Sequence, residues 1–184
     1  DVTKEYTKIS DVEISLDCEI PDSTNYLYLC VFNSGEWKAI HWAKLNNKTA
    51  NFTDMGVDIA YLPMFYVKEK LFPVSSPFIL TKNGDQKMLN GNDLFEEEVI
   101  LHSVSKQNID RSSRNGNKTF LDKGEKYELF YWEEGWESFG TKIATDSPLS
   151  FNRLPANRLY WLVKKNSDEE ERIFTYQNNK QIWW

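Results

Sequence analysis

Val12-Glu13-Ile14-Ser15-Leu16-Asp17-Cys18 alternates apolar and polar residues with a period of two. That turns every second side chain to one face of a sheet and predicts a strand. Pro21-Asp22-Ser23-Thr24-Asn25 has turn chemistry, and Tyr26-Leu27-Tyr28-Leu29-Cys30-Val31-Phe32 follows with strong strand propensity, so the pair reads as a hairpin. With the turn centred on Thr24, Ile14, Leu16, Cys18 and Ile20 share a core-facing side with Tyr28, Cys30 and Phe32. Further strands are expected at Trp37 to Trp42, Thr49 to Thr53, Ile59 to Val67 and Phe72 to Leu80, and no segment shows a convincing helical period. Pro63 lies inside a strand-like run. Since proline donates nothing to the ladder, it predicts an edge strand or a bulge there.

The second half repeats the order of events. Tyr127-Glu128-Leu129-Phe130-Tyr131-Trp132 stands where Tyr26 to Val31 stood, and Gly135-Trp136 follows as Gly35-Glu36-Trp37 does. Leu149-Ser150-Phe151 then matches Ala50-Asn51-Phe52, and Leu159-Tyr160-Trp161-Leu162 matches Ala60-Tyr61-Leu62-Pro63. Short strands with turn signals every eight to twelve residues or so indicate a sandwich in each half. The expected fold is therefore all-β, with two tandem antiparallel β-sandwich domains of immunoglobulin/fibronectin-III-like or carbohydrate-binding-module-like type. They span 1–88 and 89–184, with the second a repeat of the first. Asp93-Leu94-Phe95-Glu96 also matches a helix capping box, but the phase of the repeat makes Val99 to Val104 the first strand of the second module. Ser105 to Asp122, rich in Asn, Ser, Arg and Gly, reads as a long exposed loop.

Composition narrows the function. With 40% hydrophobic residues, including 7 Trp, 9 Tyr and 11 Phe in 184 residues, global disorder is excluded. Lys and Arg number 22 against 28 Asp and Glu, a net charge of −6, which disfavours nucleic acid as a partner. No apolar run reaches the length of a membrane-spanning helix. Asp1-Val2-Thr3-Lys4 has neither an initiator Met nor an export signal, and predicts a mature protein or a piece of a longer one.

Little catalytic chemistry is visible. His41 and His102 fall in different modules without metal-ligand spacing, no phosphate loop or nucleophile elbow occurs, and no cofactor or metal is expected. Cys18 and Cys30, nearly opposite in the expected hairpin, read equally as a disulfide or as two buried thiols. The Asn/Asp/Gly clusters at 83–85, 90–93 and 115–117 match no calcium loop and read as turns.

Aromatic residues are the strongest chemical signal. Tyr127, Leu129 and Tyr131 are expected in the second core, leaving Phe130 and Trp132 on the opposite face. In the first module Leu27, Leu29 and Val31 are expected to face outward, so both strands are apolar on both sides. Such a face must be covered by the other module, by an upstream domain or by a flat apolar ligand. A pyranose offers a C–H face for stacking and hydroxyls for polar groups. Trp132, Trp136 and Trp161, with Glu133, Glu134 and Arg158, form the candidate sugar-binding group; burial of these indoles in the core or between modules is the competing reading. At least one of Trp183 and Trp184 is expected to dock into a groove, with Arg172 placed to stack on one of them.

Tyr127 to Trp132, Gly135-Trp136, Leu159 to Leu162, Glu171-Arg172-Ile173-Phe174-Thr175-Tyr176 and the closing Gln181-Ile182-Trp183-Trp184 resemble a C-terminal region of large exported proteins of Bacteroidetes-type bacteria. Tyr61-Leu62-Pro63-Met64 and Pro77-Phe78-Ile79-Leu80 are similar to the same region. There, β-sandwich modules follow a transglutaminase-like or glycan-active domain as accessory or sugar-binding parts. The resemblance implies a secreted or cell-surface location and an upstream domain as partner, and carries no established binding residues. The function expected is a non-enzymatic accessory module that binds carbohydrate through exposed aromatic side chains. The alternative is a structural spacer packing on an upstream catalytic domain, with no small ligand. A hydrolase with two carboxylates across a cleft is the remaining, weaker reading.

Overall fold

The computed structural model describes residues 9–101, 121–168 and 171–184. Every regular element in them is a β-strand, the paired strands run antiparallel, and no helix occurs among the described residues. This is the architecture of the β-sandwich class. The chain forms two compact units, one comprising Asp1–Val31 and Trp37–Met88, the other Phe32–Glu36 and Leu89–Trp184.

The first unit contains β1 (Ile9–Ser15), β2 (Tyr26–Asn33) as far as Val31, β3 (Glu36–Lys44) from Trp37, β4 (Thr49–Gly56), β5 (Ile59–Val67), β6 (Lys70–Pro73), β7 (Phe78–Leu80) and β8 (Gln86–Met88), while the β2–β3 turn, from Phe32 to Glu36, belongs to the second. Two sheets form. β1 pairs with β4 in a two-stranded ribbon, and the larger sheet runs β3-β2-β5-β7-β8 with β6 added to β5. β1 therefore does not form the expected hairpin with β2: Ile14 lies opposite Ala50 and Val12 opposite Phe52. The inward side of β2 is also the reverse of that expected. Leu27 and Leu29 enter the core with Val12, Ile14, Tyr61 and Phe78, and Val31 packs against it. Once β1 belongs to the facing sheet, the hairpin register that would have turned Tyr28 inward is gone.

Pro63 occupies a central strand, opposite Leu29 of β2. Its carbonyl accepts from Val74 N–H at 3.1 Å, so its nitrogen, on the same side, points away from β2. On that side β7 covers Ile59 to Tyr61 and β6 covers Met64 to Val67. The missing donor thus falls in the gap between two partner strands, where no ladder bond is lost.

The second unit contains β9 (Val99–Leu101), β10 (Lys126–Trp132), β11 (Trp136–Ile143), β12 (Leu149–Phe151), β13 (Tyr160–Lys164), β14 (Ile173–Gln177) and β15 (Lys180–Trp183). The ribbon is β9-β12 and the sheet runs β11-β10-β13-β14-β15. This is the strand order of the first unit without β6. Its core includes Leu101, Tyr127, Leu129, Phe151, Tyr160 and Phe174, so β10 faces inward as its alternation predicts. Residues 93–98 hold an isolated bridge from Leu94 to Pro155 in place of a helix, with β9 following. The 105–120 part of the expected loop, and His102, lie outside the described residues.

One local device occurs in both units. Tyr61 opens toward Gly56 and donates its hydroxyl to that carbonyl at 2.7 Å; Tyr160 does the same to Pro155. Each stacks on the aromatic residue opposite, Tyr61 on Phe78 (5.7 Å, 37°) and Tyr160 on Phe174 (5.6 Å, 36°). Trp183 is buried in the second core, and Trp184 Nε1 donates to Thr175 Oγ1 at 3.0 Å. Arg172 donates through Nε to the Trp184 carbonyl at 2.7 Å.

Candidate functional site

Antiparallel pairing of β10 with β11 sets Trp132 opposite Trp136, and pairing with β13 sets Phe130 opposite Trp161. All four rings leave the core-facing side, because they alternate with Leu129 and Tyr131 or lie across from residues that do. Trp132 and Trp136 meet edge to face (5.1 Å, 85°), Trp136 and Trp161 are tilted (5.5 Å, 43°), and Phe130 lies 5.7 Å from Trp161. Phe32, in the same unit, lies edge-on to both Trp136 and Trp161 at 5.5 and 5.0 Å. The three predicted tryptophans are thus brought together, but Trp132 is buried, the other two are half-buried, and they are not coplanar. Edge-to-face packing occupies the ring faces that a sugar would stack on.

The polar members have separate fates. Arg158 donates through Nη1 to Trp132 O at 3.3 Å. Trp161 Nε1 donates to Glu171 O at 3.1 Å. The Trp136 Nε1 and Arg158 Nε atoms are buried without a hydrogen-bond partner. Glu133 and Glu134 sit exposed in the turn between β10 and β11, where Glu133 N–H donates to Gly135 O at 3.0 Å. They are beside the indoles in sequence and project into solvent.

A second aromatic group was missed in the sequence. On the face of β2 opposite the core, Tyr28 lies 6.4 Å from Trp42 of β3 and 5.9 Å from Tyr66 of β5, with interplanar angles of 40° and 55°. Trp42 is 65% exposed and Tyr66 49%. Exposed Tyr26 and Ile40 extend the strip. Met64, directly across from Tyr28, is buried, and so are Cys30 and Leu62 one pair further along this face. The signal was present in the alternation Tyr26-Leu27-Tyr28-Leu29, but reading it needed the facing of β2, which local pattern alone assigned the wrong way.

The cores align Leu29 with Leu129, one residue off the register of the sequence repeat, so in the second unit the position matching Tyr28 is held by Glu128. Its carboxylate accepts from Ser138 Oγ at 2.7 Å and from Lys165 Nζ at 3.1 Å. These contacts, the serine hydrogen bond foremost, hold its pKa below the usual carboxylate value. The polar contacts are local to this position, since Phe130 and Trp132 follow on the same side of β10.

A groove of about 520 Å³ in the second unit is lined by Asp93, Glu96, Glu97, Glu98, Tyr176 and Asn178, among others. Among the described residues no group of three or more His, Cys, Asp or Glu could hold a metal ion, and no helix is long and apolar enough to cross a membrane. Both cysteines are free thiols, Cys18 half-buried and Cys30 buried, and burial pushes the Cys30 thiol up to about 12. His41 lies half-buried on β3. Comparison of the chain with protein-family models, with curated proteins and with solved structures found no match.

Proposed function

We propose that this chain is a non-enzymatic extracellular accessory module, made of two β-sandwich copies of one ancestral unit, that binds carbohydrate through exposed aromatic side chains. The observation that carries this is the open strip Trp42–Tyr28–Tyr66. Exposed large aromatics cost solubility, and at the position matching Tyr28 the second unit carries the polar contacts of Glu128 with Ser138 and Lys165 instead. Adjacent rings about 6 Å apart suit successive pyranose rings, whose C–H faces stack on indole or phenol while phenolic hydroxyls meet sugar hydroxyls. The tilts of 40° and 55° between neighbours fit one twisted glycan chain; a flat crystalline surface would touch a single ring. Shared strand order and the paired Tyr61 and Tyr160 devices support the duplication, and that device resembles the tyrosine corner of immunoglobulin-type sandwiches. The likeness to exported multidomain proteins supports the extracellular setting and a neighbouring domain of the same polypeptide.

A second placement of the same function uses Trp132, Trp136, Trp161, Glu133, Glu134 and Arg158. It is favoured by the two buried donors without acceptors, Trp136 Nε1 and Arg158 Nε. The spacer alternative is favoured by the interlocked geometry of those indoles. A glycan array with the intact chain separates the three. We expect Trp42→Ala to abolish the strongest signal and Trp136→Ala to preserve it. Loss in Trp136→Ala alone would move the site to the second unit, and an array blank for every glycan would leave the spacer.

A further inference from the structure

Resting on that reading, we propose that the strip on the first unit is selective for an anionic glycan, a chain bearing uronic acid carboxylates, over a neutral one. Trp42 shares its side of β3 with the residues two positions away on either hand, Ile40 and Lys44, and one step further with Lys38. Leu45 N–H donates to Asn25 O at 2.8 Å, which brings the Lys44 end of β3 beside Tyr26 at the start of β2. At the far side, Tyr66 is followed within two residues by Lys68 in the turn to β6. Lys44 thus stands at the Trp42–Tyr26 end of the strip and Lys68 follows Tyr66 in the chain, in a protein whose net charge is −6.

Neither β2 nor β5 contains a carboxylate, and on β3 the sole one is Glu36 at its first residue; Glu69 lies in the turn beside Lys68. Sites for neutral sugars orient hydroxyls with carboxylates and amides, which accept as well as donate, whereas an ammonium only donates and carries charge. A uronate carboxylate projects from the ring edge at C5. A stacked pyranose therefore keeps its C–H face on the indole and delivers the carboxylate to the rim, where Lys44 stands. A sulfate ester replaces a hydroxyl proton and adds bulk that interferes with stacking, so the carboxylate is the better fit.

The test is calorimetric titration of the full chain with three oligosaccharides of equal length, an oligouronate, a neutral β-glucan and a sulfated glucan, at about 20 and about 300 mM salt. We expect the oligouronate to bind best and to weaken as salt rises. Lys44→Gln, a surface change that leaves the core intact, should lower its affinity roughly two- to fivefold and flatten the salt dependence. Trp42→Ala should lower it about tenfold or more. Equal, salt-insensitive binding of the neutral glucan, or no effect of Lys44→Gln, would overturn the anionic preference and leave carbohydrate binding standing. Preference for the sulfated chain would overturn the carboxylate assignment, and silence with all three would overturn the underlying reading as well.

Discussion

Tyr61 and Tyr160 show how single side chains tie the sheets to their connections. Each is almost fully buried, and each spends its hydroxyl on a main-chain carbonyl five residues upstream. Replacement by Phe keeps the ring packing and orphans the carbonyl, so Tyr61→Phe and Tyr160→Phe should each lower stability by about 1 kcal/mol in urea unfolding. Burial pushes the Tyr61 phenol from 10.0 up to about 12. It raises Tyr160 too, against the opposing effects of a hydrogen bond from the Arg158 backbone and of the Arg158 charge. Below pH 10 folded and unfolded states both hold the proton, and the stabilisation is complete. As pH rises from 10 toward 12 the unfolded phenol ionises first and stability is lost. Unfolding measured across that window should therefore show a steeper alkaline decline in the parent chain than in Tyr61→Phe; parallel curves would contradict the assignment.

At the scale of elements, two-residue turns with both φ positive recur between paired strands. Asn178 and Asn179 make one between β14 and β15, at φ 50° and 62°, with residues that tolerate the left-handed region. Ser34 and Gly35 make another, between β2 and β3, and Lys68 and Glu69 make a third, between β5 and β6, at φ 50° and 66°, with residues that disfavour that region. Replacing Lys68-Glu69 by Asn-Gly should raise stability by about 1 kcal/mol or more, read as a higher urea midpoint at unchanged slope. These strands and turns were largely legible beforehand: β3, β4, β5, β10 and β12 fall where alternation and turn formers put them. What local pattern could not supply was partnership. Ile14 pairs with Ala50 across 35 intervening residues, and nothing in Val12 to Cys18 distinguishes that partner from the nearer Tyr26 to Phe32. The error propagated, since the facing of β2 decides whether Tyr28 is core or surface, and with it which aromatic group is open. Phe72 to Leu80 divides into β6 and β7 for a visible reason: Pro73 and Pro77 bracket the break. In the second unit the three indoles singled out from the sequence lie together, but local pattern gave no sign of Phe32, roughly a hundred residues away, which packs edge-on against Trp136 and Trp161. Phe32→Ala should then shift tryptophan emission to longer wavelength as Trp136 and Trp161 become wetter; an unchanged spectrum would deny that ring its role.

For the molecule as a whole, each unit owns a core: Leu29 and Tyr61 are central to one, Leu129 and Tyr160 to the other. Hydrogen exchange along the full chain should show two maxima of protection, on β2 and β5 and on β10 and β13, with the short strands β6 and β8 exchanging sooner. A single maximum confined to one unit would mean that the other lacks an independent core. Cys30, sealed beneath the first sheet's far side, and half-buried Cys18 give that first unit a built-in reporter. Brief exposure to a maleimide dye should tag one sulfur per native molecule and two after denaturation, so the labelling stoichiometry reads the integrity of one half of the chain without any engineered probe.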